Sequence, residues 1–157
     1  MAIENEQVAA SALVGGTATA LHSHALSYLT NALGSDVTLT TPGTFYNGPS
    51  LSLTAGTWLI TGQVTLQTTS ITGAVQFVCK MWDGTSVGAS GEQVSGAVSS
   101  AAVRNVVIAL STIVVLSGSA TWRLACTASV ASQLIKAGTP QYGAGNNASV
   151  LSAVKLA

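Results

Sequence analysis

The residue pattern predicts an all-β domain of sandwich or barrel type behind a short N-terminal segment of different texture. From Asp36 onward, β-branched and apolar residues alternate with polar ones at a period of two, the spacing that puts one side of a strand into a core and the other toward solvent. These runs are short and separated by Gly, Pro, Asn and Asp, residues that turn the chain. Helical spacing is confined to the region before Gly34.

In order along the chain, "MAIENEQVAASALVGGT" reads as a tail and a flexible joint. Leu21, Ala25, Leu26, Leu29, Ala32 and Leu33 then recur at steps of three and four, which predicts a short helix over residues 18–33 closed by Gly34 in the C′ position. About nine strands follow: "DVTLTT", "GTFYN", "SLSLT", "TWLITGQVTLQ", "AVQFVCKMWDG", "VRNVVIALSTIVVL", "ATWRLACTAS", "SQLIKAG" and "SVLSAVKLA". In the fourth, Trp58, Ile60, Gly62, Val64 and Leu66 share the face expected to be core. In the fifth, Val75, Phe77, Cys79 and Met81 alternate with Gln76, Val78, Lys80 and Trp82, and Asp83-Gly84 signals a tight turn. The stretch "TSVGASGEQVSGAVSSAA" is small and polar, and its composition predicts a long loop.

At 157 residues the chain has the size of one domain plus an appended segment, which places residues 1–35 in an adapter and 36–157 in the β domain. Five basic and five acidic residues are few for a soluble chain and sum to zero, so much of the surface is expected to be covered in an assembly. Lys80, Arg104, Arg123, Lys136 and Lys155 stand singly, which argues against nucleic acid. Cys79 and Cys126 fall within apolar strands as small buried hydrophobes, with a disulfide between neighbouring strands left open by the sequence. The start lacks a basic signal-peptide region. The most apolar window, "VVIALSTIVVL", is shorter than the roughly 20 residues that span a bilayer. Synthesis in a cytoplasm, with no membrane insertion, is the expectation.

The order "LTAGTWLITGQVTL", "VCKMWDGTSVGAS", "VIALSTIVVLSGSATWRLACTAS" and "GNNASVLSAVKLA" resembles the TNF/C1q-like jelly-roll domain of fibre, spike and tail proteins of tailed bacteriophages. The resemblance spans residues 36–157. Its most distinctive pieces are Gly56-Thr57-Trp58, Trp82-Asp83-Gly84-Thr85 and a last strand opening at Asn147-Ala148-Ser149. It implies a jelly-roll sandwich that forms a homotrimer, with the last strand near the threefold axis and Val150, Ser152, Val154 and Leu156 as its interface face. Apolar residues on both sides of that strand agree with a buried position.

The chain's only histidines, His22 and His24, form a His-x-His pair. On an extended backbone they point the same way, and three copies around an axis would offer six nitrogens to a transition metal, as in some trimeric phage fibres that this segment resembles. On a helix they diverge by about 200° and are merely adapter residues.

Catalysis is not expected. The acidic inventory is Glu4, Glu6, Asp36, Asp83 and Glu92, with no evident carboxylate pair for glycoside hydrolysis; neither Cys has an activating neighbour, and "VGASGEQ" lacks the ending of a phosphate loop. For ligand binding, Tyr142, Trp82 and Asp83 are the candidates, an aromatic platform with a polar partner of the kind that suits a glycan. The function implied is a virion structural protein: a trimeric head displayed for attachment to a host-surface glycan, joined to other virion proteins through residues 1–35. The alternative is a capsid or tail decoration protein that clamps its neighbours.

Overall fold

The computed structural model describes residues 27–68, 73–97, 103–138 and 147–157, and they form two antiparallel sheets packed face to face with no helix among them. The strands are β1 (Tyr28–Ala32), β2 (Val37–Leu39), β3 (Tyr46–Leu53), β4 (Gly56–Thr68), β5 (Val75–Trp82), β6 (Val87–Ser95), β7 (Arg104–Leu116), β8 (Ala120–Ala128), β9 (Gln133–Ile135) and β10 (Val150–Lys155). The first sheet runs β1-β10-β4-β9-β2, with β7 on the other edge of β4; the second runs β3-β8-β5-β6. With the short β2 and β9 set aside, the orders are β1-β10-β4-β7 and β3-β8-β5-β6, an eight-stranded jelly roll.

Alternation fixes the core. Trp58, Ile60, Val64 and Leu66 of β4 face Val75, Phe77, Cys79 and Met81 of β5 and Trp122, Leu124 and Cys126 of β8, all buried. Emptying one such site, as in Phe77→Ala, costs about 3–5 kcal/mol in comparable cores. Cys79 lies directly opposite Cys126 across the β5 and β8 ladder, and the two are joined in a disulfide. The residues read as small hydrophobes are thus both buried and bonded. Closing a loop of 47 residues restricts the unfolded chain by about 4 kcal/mol in the chain-entropy picture.

Three segments depart from the sequence reading. Tyr28–Ala32, expected as the end of a helix, is strand β1 and pairs along its whole length with β10, from Tyr28↔Val154 to Ala32↔Val150. The outer edge of β10 presents backbone groups that need partners, and satisfying them overrides a local helical spacing. The rest of the expected helix lies outside the described residues. The "loop" after Gly84 contains strand β6, register-paired with β5 from Val75↔Ser95 to Trp82↔Val87. Its residues are small because β6 closes down on β7: a Cβ on Gly88 would sit 2.8 Å from the Thr112 side chain and 3.0 Å from the Trp122 ring. Finally, the end of "GTFYN" and most of "SLSLT" belong to one strand, β3, with a register shift between Asn47 and Ser50 around Pro49, which has no N–H to offer a ladder.

A buried polar node ties β4, β9 and β10 together. The Thr65 hydroxyl donates to the Ala148 carbonyl at 2.7 Å, the Thr65 N–H to the Ser149 hydroxyl at 3.1 Å, and the Ser149 hydroxyl to the Lys136 carbonyl at 2.7 Å. The end of β9 and the lead into β10 are thereby both fastened to β4.

Candidate functional site

The two sheets turn unlike faces outward. On the first, residues paired across strands share a side, so the register builds rows. One row is Tyr28, Val154, Leu59 and Ile113; the next is Thr30, Ser152, Thr61 and Ser111; the third is Ala32, Val150, Gln63 and Ala109. None of these residues is charged. Ile113 is 62% exposed and the neighbouring Val115 80%, an apolar stripe along β7 that a solvated surface has no reason to carry. A shallow groove of about 430 Å³ crosses the middle of the face, lined by Thr61, Gln63, Ala109, Ser111, Val150 and Ser152.

The residues expected at an interface are on this face. Val150, Ser152 and Val154 are half-buried and point outward, Leu156 is exposed just beyond β10, and the intervening Leu151 and Ala153 fill the core. Hydroxyl contacts join β1 to β10: the Thr30 and Ser152 side chains are 3.1 Å apart, and those of Tyr28 and Ser152 3.3 Å.

The second sheet turns charge outward. Its outer face bears Lys80 and Trp82 of β5, Arg123 of β8 and Glu92 of β6, with Asp83 at the turn that ends β5. Trp82 lies directly opposite Arg123. The Lys80 ammonium stands 3.5 Å from the centre of the Trp82 ring and 4.2 Å from that of Phe45, so both rings hold a cation. Trp82 therefore does not offer a free platform on that side. Asp83 caps its own turn, accepting from the N–H groups of Thr85 at 2.8 Å and Ser86 at 2.7 Å, and Gly84 supplies the positive φ of 106° that follows. Those backbone donors, Ser86 first, hold the Asp83 carboxyl below its ordinary value. Glu92 accepts from the Gln76 amide at 3.0 Å.

Tyr142, His22 and His24 lie outside the described residues. Among the described residues no group of three or more His, Cys, Asp or Glu gathers as a metal site. Sequence spacing foresaw Lys80 beside Trp82, since alternate strand residues share a face. It missed Arg123 and Phe45, which join them only through the β5 and β8 pairing and the approach to β3.

No family model matches the chain, and neither does any curated protein. Among solved structures it is similar to that of infectious bursal disease virus strain Gt, with 14% identity and a TM-score of 0.44 over 85% of this chain and 38% of that one. Strain Gx gives 12% and 0.43, and the crystal structure of the VP2 subviral particle 12% and 0.41, each over the same shares of the two chains. The chain thus spans less than half the length of the chains it is similar to.

Proposed function

We propose that this chain is a structural protein of a bacteriophage virion, a homotrimer whose jelly-roll head is displayed for attachment to a host-surface glycan and whose residues before β1 join it to other virion proteins, since β1 itself belongs to the head. The observation that carries the reading is the uncharged outer face of the first sheet, where Val150, Ser152 and Val154 run beside the exposed Ile113 and Val115. A chain with ten charged residues and no net charge gains most by covering such a face with copies of itself. The sequence resemblance to TNF/C1q-like phage domains, and a strand order that is a jelly roll, support the same reading. Packing the first sheets around a threefold axis leaves the charged second sheet outward, where three weak contacts sum to useful avidity. The protein acts by display, without chemistry.

Particles lacking this chain test the proposal. They should remain intact yet adsorb to cells at least about tenfold more slowly, as expected when three linked contacts are lost together. Particles that adsorb normally but fall apart on mild heating would make the chain a decoration protein instead.

A further inference from the structure

We propose that the outer face of the second sheet carries an oxyanion site built on Lys80, Trp82 and Arg123, which takes the carboxylate or phosphate of an acidic saccharide. Three donor side chains share this face. Trp82 and Arg123 are opposite one another in the β5 and β8 ladder, and Lys80, two residues back on the same face, lays its ammonium over the Trp82 ring. Among the described residues, the Trp82 indole N–H and the Arg123 Nε are buried and have no acceptor. Neither cation has a carboxylate within ion-pair distance: the ion pair among the described residues is Lys136 with Asp36, in the other sheet. The two acids nearby take their hydrogen bonds from neutral donors, Asp83 from its turn and Glu92 from Gln76, and Asp83 feels the Arg123 charge only from beyond ion-pair distance. Donors therefore outnumber free acceptors, and the ligand that completes the patch is rich in acceptors and negatively charged.

The surroundings narrow the class. Phe45 and Trp82 wall the ammonium, and Val87, paired with Trp82, is 53% exposed beside them, so apolar surface borders the charge as the C–H faces of a sugar require. Two cations match an isolated oxyanion. A nucleic-acid backbone needs a longer track, and Arg104, Lys136 and Lys155 belong to the first sheet or its margin. The use of this site in host attachment rests on the display reading above, whereas the site itself is complete within one subunit.

The test uses the full chain and follows the Trp82 indole N–H resonance, assigned by its loss in Trp82→Phe, during titration with trigalacturonate, glucose 6-phosphate and neutral maltotriose. Saturable movement with one or both acidic sugars is expected, weakened by added salt and reduced about tenfold or more in Lys80→Met and in Arg123→Met. Response to the uronate alone, the phosphate alone or both identifies which oxyanion the site takes. The proposal is overturned if neither acid moves the resonance by about 20 mM, if maltotriose moves it equally, or if the response survives both substitutions. Salt dependence of the unaltered protein decides the matter should a variant fail to fold. The mass of the protein in solution, measured alongside, separates the two ideas: binding by a monomer would remove the trimer and keep the site, and a trimer that ignores both acids would remove the site alone.

Discussion

Asp36 and Lys136 stand a hundred residues apart in sequence and meet in an ion pair that pins the start of β2 to the end of β9. Burial acts to raise the Asp36 pKa, but the Lys136 hydrogen bond, the Ala137 N–H at 2.8 Å and the Lys136 charge together hold it below the ordinary 3.8. A carboxyl whose folded value is depressed stabilises the fold above its unfolded value and loses that contribution as pH falls through the folded one. Melting temperature should accordingly drop as pH falls below the ordinary carboxylate range, and Asp36→Asn should flatten that drop while lowering the plateau at neutral pH. A pH profile identical in the variant would mean that the pair contributes nothing. Because the Asp36 side chain is 36% exposed, solvent screening keeps the effect small. Spacing could not reveal this pair, since nothing in "SDVT" or "LIKAG" marks one as the partner of the other. The alternation of Val75, Phe77, Cys79 and Met81, by contrast, could be read directly, because burial on one side of a strand imposes period two on the sequence itself. The disulfide fell between: each Cys was legible as buried, and only the register of β5 against β8 shows that they meet.

Strand β10 shows how one element serves two environments. Its inward residues, Leu151 and Ala153, are core, and its edges are occupied by β1 and β4. Its outward residues face the uncharged rows. Substitutions on the two sides should therefore fail differently. Leu151→Ala should cost about 2–5 kcal/mol of stability and lower the melting temperature. Val154→Arg should leave the fold of one subunit intact by circular dichroism while breaking association, because an unpaired charge at the centre of an interface is costly. A variant Val154→Arg that still associates would take this face out of the interface. The strands with strong alternation, β4, β5, β7, β8 and β10, were legible beforehand. Two were not, for opposite reasons. Around β1, Leu26, Leu29 and Leu33 at steps of three and four imitate a helix, although the β1 backbone serves as a partner for β10. In β6, Gly88 and Gly91 are small because β7 packs against them, so the strand lacks the bulky residues that normally announce one.

Taken whole, the molecule separates an uncharged face on one sheet from a charged, aromatic face on the other. Neither face is legible in composition alone. The scarcity of charge pointed to an assembly, and the cations scattered along the sequence gave no hint that Lys80 and Arg123 would be neighbours. Topology made both faces, by bringing β1, β10, β4 and β7 side by side and by setting β8 between β3 and β5. The mass of the purified chain in solution, by light scattering at several concentrations with metal analysis of the same sample, bears most directly on this picture. A species of three times the 15.7 kDa of one chain is expected, and metal at about one ion per three chains would assign it to His22 and His24. A monomer at every concentration would leave the face formed by Val150, Ser152 and Val154 without its partner and would contradict the proposed virion trimer.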